Sequence, residues 1–228
     1  HTNLSALLTS YMHDGLVLLP QYAIWEPQSR TLYVADVHLG KAATFRALNQ
    51  PVPGGTTAEN LARLTKLLAQ LAPRTLIFLG DLFHAPQAFT PDLMAQFAAW
   101  RGAHTSVSMI LVRGNHDIRA GKRSAELNIE QVDEPHVTGR LIARHHPLET
   151  RDHLAGHLIL AGHVHPVIKI EGKGRDSLRL PCFLISPCQI ILPAFGEFTG
   201  GAPVKLERNQ IALGVVNEHM VKLTAGRV

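Results

Sequence analysis

Five short polar motifs, each at or just behind an apolar run, constrain the fold of this chain more than any other feature of its 228 residues. They are Asp36-x-His38, Gly80-Asp81, Gly114-Asn115-His116-Asp117, His145-His146-Pro147 and Gly162-His163-x-His165. The runs before them are Thr31–Ala35, Thr75–Leu79, Val107–Val112, Leu141–Ala143 and Leu158–Ala161. Runs this short and apolar read as buried strands. A chain that leaves one strand after another into a polar loop gathers those loops at one edge of a sheet, where sites are built.

The segments between fit the same architecture. Thr57–Leu71 carries Leu at 61, 64, 67, 68 and 71, a helical stripe that Thr56 or Thr57 would cap and Pro73 stops. Pro91–Trp100 repeats the pattern with proline early in the helix. Lys41–Leu48 reads as helical or irregular, and Pro51–Gly55 as a loop. Leu16–Leu19 and Tyr22–Trp25 are further strands. From Val164 onward the pattern is mainly β: Val164–Ile170, Leu178–Ser186, Gln189–Leu192, Ile211–Val216 and Met220–Leu223. With no internal repeat and no linker-like stretch, the reading is one α/β domain over residues 1–228.

Composition sets outer limits. Hydrophobic residues make up 46%, enough for a sizeable core. No apolar run reaches the roughly 20 residues of a membrane span, and Cys182 and Cys188 do not form a disulfide framework, so a soluble, cytoplasmic protein is expected. Aromatics are only 6%, which argues against a broad base-stacking platform. The net charge of +4 suits an anionic partner, and an ordinary solvated surface equally well.

The motifs supply Asp, Asn and His, a set suited to a pair of divalent cations; without thiolate it fits manganese, iron or zinc. In extended geometry Asp36 and His38 would point to one face and grip one ion, and His163 and His165 repeat the spacing. Asp81 has two oxygens with which to bridge two ions, and Asn115 adds a neutral amide oxygen. Two divalent ions, two carboxylates and one hydroxide leave about one positive charge, which favours a phosphodiester. The expected mechanism is in-line attack of that hydroxide on phosphorus. His116 would touch the phosphate or protonate the leaving oxygen, and Asp117 would orient its ring.

Around the motifs lie Lys41, Arg46, Arg113, Arg119, Lys122 and Arg123, candidates for phosphate contacts along a nucleic acid, with His84 a candidate pocket residue. Phe195 and Phe198 would stack on a base or, more simply, pack the turn that holds them.

Taken in order, the motifs resemble those of the calcineurin-like binuclear metallophosphoesterases. His38-Leu-Gly-Lys41 with Phe45-Arg46, then Gly80-Asp-Leu-Phe-His84, and Leu192-Pro-Ala-Phe-Gly-Glu-Phe-Thr-Gly-Gly201 look like the SbcD-related, ligase-associated DNA damage response endonuclease group, the PdeM type. The resemblance implies a four-layer αββα sandwich of two mixed β-sheets flanked by helices. It implies one metal on Asp36, His38, Asp81 and His165, the other on Asp81, Asn115, His145 and His163, and His116 as catalytic histidine. The chain departs from the commoner pattern at the fourth motif, where His145-His146-Pro147 replaces His-Gly; His145 lies nearer the strand end, with His146 the alternative. Two Mn²⁺ ions, a single-stranded DNA substrate, a role in DNA repair, and a helicase, exonuclease and ligase as pathway partners complete the expectation. The competing reading is a small-molecule phosphoesterase acting on nucleotides or similar phosphodiesters.

Overall fold

The computed structural model describes residues 7–41, 44–45, 57–85, 88–120, 127–148, 156–171, 177–196 and 200–225. Its first sheet has seven strands in sequence order: β1 (Tyr11–His13), β2 (Leu16–Leu19), β3 (Ala23–Glu26), β4 (Thr31–Val34), β5 (Thr75–Leu79), β6 (Ser108–Val112) and β7 (Glu130–Val132). The first four form an antiparallel meander; β4 to β7 run parallel. Parallel neighbours need crossovers. Helix α1 (Thr57–Leu71) lies between β4 and β5, α2 (Pro91–Ala103) between β5 and β6, and a short α3 (Asn115–Ala120) follows β6.

The second sheet contains β8 (His136–Thr138), β9 (Leu141–Ala143), β10 (Leu158–Ala161), β11 (Pro166–Glu171), β12 (Ser177–Ser186), β13 (Gln189–Ile191), β14 (Ala202–Pro203), β15 (Ile211–Val216) and β16 (His219–Thr224). Its order is β14-β11-β12-β13-β10-β9-β8, with β15 paired to β12 and β16 to β15. Strands β9, β10 and β13 are mutually parallel and most others antiparallel, so this sheet too is mixed.

Alternation along the strands builds the layers. Leu32 and Val34 of β4 and Leu76 and Phe78 of β5 face the helices, packing with Leu61, Leu64, Leu67 and Leu68 of α1 and Phe97 and Trp100 of α2. Tyr33, Ala35, Ile77 and Leu79 point the other way, into a core shared with Leu141, Leu158, Leu160, Phe183 and Ile185 of the second sheet. Both faces of β4 and β5 are therefore buried, which is why these strands read as continuous apolar runs. Each buried Leu of α1 contributes about 1.5–3 kcal/mol by leaving water. The result is the α/β sandwich of two mixed sheets with flanking helices. Among the described residues both long helices lie on the first sheet; the outer face of the second carries Ile142, Ile159 and Ala161 with Leu148.

Helix ends follow local chemistry. Thr90 caps α2, its side chain accepting from the Leu93 N–H at 3.3 Å, with Pro91 in the first turn. Thr57 instead accepts from the Gly40 N–H at 3.1 Å, tying α1 to the first motif loop. Strands β1, β7, β8 and β14 were not anticipated. They are two or three residues long and sit at the sheet edges, where pairing supplies order that no hydrophobic pattern announces. No described helix is long and apolar enough to cross a membrane.

Candidate metal centre

The site begins in backbone geometry. Asp36, His38, Asp81, His163 and His165 all have φ between +48° and +69°, the left-handed region that non-glycine residues avoid. The extended geometry expected for Asp-x-His is thus not what forms: alternate left-handed residues, not strand pleating, turn these side chains inward. Such a conformation costs about 1–2 kcal/mol per residue and persists only where the surroundings fix it. Here the first two loops fix one another, with the Asp36 N–H donating to Gly80 O at 3.2 Å and the His38 N–H to Asp81 O at 3.0 Å. The C-terminal segment backs them, the Gly196 N–H donating to Asp36 O at 3.0 Å.

The motif glycines serve close approach. A Cβ on Gly80 would stand 2.1 Å from His145 Nδ1, one on Gly114 2.3 Å from Asp81 Oδ1, and one on Gly162 2.6 Å from Asp36 Oδ2. Each glycine makes room for the side chain of a different motif.

The donors converge accordingly. Asp36, His38 and His165 form one group, Asp36, Asp81 and His145 a second, and His145, His146 and His163 a third, each with ligand atoms mutually within 4.8 Å. His38 and His165 face each other through Nε2 at 3.4 Å, and Asp36 Oδ1, buried and without a hydrogen-bond partner, lies 3.4 Å from His165 Nε2. His145 is fully buried. Its Nδ1 lies 3.0 Å from Leu79 O, so Nδ1 carries a proton there. In the neutral ring Nε2 is then a bare lone pair, yet it faces Asn115 Oδ1 at 3.1 Å, His163 Nδ1 at 3.0 Å and Asp81 Oδ2 at 3.5 Å. Nitrogen and oxygen atoms with lone pairs gathered this closely are a donor set that a divalent cation would share. The residues therefore fit divalent metal ions, and the Leu79 carbonyl is the kind of outer partner that fixes a ligating histidine.

Electrostatics agree. Burial, with His165, Lys41, His84 and His116 close by, lowers His38 to about 2, so the ring is neutral and its lone pair available. Burial and the neighbouring His145 and His146 likewise lower His163.

His116 stands over this group. Its N–H donates to Asp81 Oδ1 at 3.0 Å, its Nε2 is 3.8 Å from Asp81 Oδ2, and its ring stacks on His84 at 5.6 Å and 19°. His84 is itself stacked on Phe45, and burial lowers its pKa to about 4. Asp117 does not hold the His116 ring as the sequence suggested. Its carboxylate accepts the N–H groups of Asp81 at 2.7 Å, Gly114 at 2.9 Å and Leu82 at 3.1 Å, pinning the second motif loop against the third. Burial pushes it up to about 7 against those bonds.

The basic rim is thinner than the sequence promised. Arg113 is paired with Asp133. Lys41 is half-buried, held over the Phe45 ring at 5.7 Å, and burial lowers its pKa. Arg119 is exposed on α3; Arg46, Lys122 and Arg123 lie outside the described residues. Phe195 is fully buried with the Arg63 guanidinium 4.4 Å above its ring, so it packs the core; Phe198 is outside the described residues. Glu134 carries no sequence signal, because nothing in Asp133-Glu134-Pro135 marks it as part of the site. Its Oε2 accepts the N–H groups of His145 at 2.9 Å and His146 at 3.0 Å, and its Oε1 lies 2.7 Å from His146 Nδ1. Partial burial opposes its charge, but the bonds from His146 and the nearby Arg144 hold its carboxyl below the usual value.

Two mixed sheets whose Asp-, Asn- and His-bearing loops converge are the frame of a metallophosphoesterase, and the chain belongs to the calcineurin-like phosphoesterase family, which residues 29–163 match. It is a metal-dependent hydrolase. Among solved structures it is similar to the Pseudomonas putida nuclease MPE, with 42% identity over 90% of this chain and 96% of that one and a TM-score of 0.76. It is also similar to Yfce, a phosphoesterase from E. coli, with 15% identity over 85% of this chain and 98% of that one and a TM-score of 0.45. None of the curated proteins matches it.

Proposed function

We propose that this chain, acting as one domain, is a manganese-dependent endonuclease that hydrolyses phosphodiester bonds of single-stranded DNA in a repair pathway. The observation that carries the reading is the convergence of lone-pair donors around His145 Nε2 and Asp36 Oδ1, in a chain 42% identical to a protein described as a nuclease. One cation position would take Asp36, His38, Asp81 and His165; the other Asp81, Asn115, His145 and His163. Two bound divalent cations supply Lewis acidity at phosphoryl oxygens and lower the pKa of water.

The chain's own residues do the rest. His116 is half-buried with its Nε2 3.8 Å from Asp81 Oδ2, a place from which it would reach a phosphate oxygen or the leaving oxygen. His84, stacked against it, limits the tilt of its ring. Asp117 keeps Asp81 and the Gly114 loop in register through three backbone N–H groups. A cytoplasmic setting alongside a helicase, an exonuclease and a ligase would place the cleaved strand in a repair sequence.

A second reading, hydrolysis of nucleotides or similar small phosphodiesters, is favoured by the pairing of Arg113 with Asp133 and the burial of Lys41. Incubation of metal-loaded protein with a labelled single strand and with a chromogenic nucleotide diester separates the two. The nuclease reading expects strand cleavage that falls steeply between 50 and 200 mM salt, because several phosphate contacts release counterions. An intact strand beside a hydrolysed diester would leave only the second reading.

A further inference from the structure

The fourth motif holds two histidines, and the metal reading uses one. His146 is not idle. Its ring centroid lies 4.6 Å from that of His145 and 4.5 Å from that of His163, and the three share ligand atoms within 4.8 Å of one another. Behind it stands Glu134, whose carboxylate takes both backbone N–H groups of the motif and lies 2.7 Å from His146 Nδ1.

We propose that Glu134 and His146 serve the second cation position, Glu134 fixing the His146 ring so that Nε2 presents a lone pair beside His145 and His163 as a fifth protein donor. The inference rests on the two-metal reading above. Its logic is that of the tautomer. A carboxylate can only accept, so it keeps the ring proton on Nδ1 and leaves Nε2 bare. Histidines that bind metals characteristically donate their other N–H to such a partner, as His145 does to the Leu79 carbonyl. The two histidines of the motif are thus oriented by the same device, one through a backbone oxygen and one through a side chain. Glu134 is a positioning residue here: it acts through His146 and through the backbone of His145.

Two substitutions separate this from a structural role. In Glu134→Gln the amide oxygen still accepts the backbone N–H groups, but its NH₂ donates to Nδ1 and drives the ring proton to Nε2. His146→Phe keeps the ring volume and every backbone bond of Glu134 while removing the donor. Metal-free full-length wild type and both variants are titrated with MnCl₂ by calorimetry, with thermal melts as a folding control. Wild type should take up two ions; each variant should bind one of them about tenfold or more weakly, with the other site unchanged. Titrations of both variants that match wild type would overturn the inference while leaving the two-metal reading intact. Weakening in His146→Phe alone would overturn the part given to Glu134. If wild type takes up fewer than two ions, the two-metal reading falls and this inference with it. Should Glu134→Gln fail to fold, the His146→Phe titration decides, since it leaves the Glu134 backbone contacts in place.

Discussion

Substituting Gly80 by Ala should damage both the fold and the metal centre, by amounts the geometry sets. Gly80 has φ +80°, where an L residue pays about 1–2 kcal/mol. The new Cβ would lie 2.1 Å from His145 Nδ1 and 2.4 Å from its Cγ, so the ring must retreat by about 1.4 Å to reach ordinary contact. That retreat breaks the 3.0 Å bond from Nδ1 to Leu79 O, worth about 1 kcal/mol. Metal–ligand distances tolerate only about 0.2 Å, so His145 Nε2 ceases to be a donor at its present place. The expected result is a loss of about 2–3 kcal/mol in urea unfolding of the metal-free protein. A drop of at least about tenfold in the affinity of one Mn²⁺ site should accompany it by calorimetry. Gly102→Ala is the control: it lies in α2 with nothing within 4 Å of the added methyl, and should be neutral or stabilise by about 0.5–1 kcal/mol. A Gly80→Ala protein with wild-type stability and wild-type Mn²⁺ affinity would refute the account of why glycine precedes Asp81.

Three other outcomes are expected. His116→Ala should lower kcat about 10²–10⁴-fold without weakening Mn²⁺ binding, since its bond to Asp81 comes from a backbone N–H that alanine keeps; turnover near wild type would remove His116 from the chemistry. Chelated protein should gain about 2.7 kcal/mol when Mn²⁺ reaches a hundredfold excess over Kd, or roughly 5–10 °C in Tm; an unmoved melt would contradict a metal-binding fold. The metal-free protein should lose stability as pH falls below about 6.5. His38 and His84 sit at about 2 and about 4 when folded, so the folded state binds fewer protons than the unfolded in that window. His38 alone gives a slope of up to about 1.4 kcal/mol per pH unit. Asp117, raised to about 7, works the opposite way above about 4 but counts as one group against two. A urea midpoint at pH 5 equal to or above that at pH 7.5 would show the signs to be wrong.

Much of this protein was legible in its residues, for local reasons. The Leu stripe of α1 marks a helix because periodicity alone marks it, and Thr75–Leu79 a strand because both its faces are buried. The donor residues announce themselves by chemical type. Asp117 illustrates the limit: beside His116 in sequence, it looked like that ring's partner, yet its oxygens point to the N–H groups of Asp81, Leu82 and Gly114. Glu134 lies 11 residues before His145 with no periodic or motif relation to it, and only the folding of one loop over another brings them together.

The sequence by itself determined which atoms are on hand and which strand each motif follows, because those depend on residue type and short-range pattern. Only the tertiary structure decided where the atoms point. The inward turn of Asp36, His38, Asp81, His163 and His165 comes from left-handed backbone held by bonds between distant segments, such as the His163 N–H to Asp36 Oδ2 at 2.8 Å across 127 positions. No local preference favours that conformation, so no local pattern can reveal it; it exists because the packed sheets and the neighbouring loops leave the chain no lower-energy course.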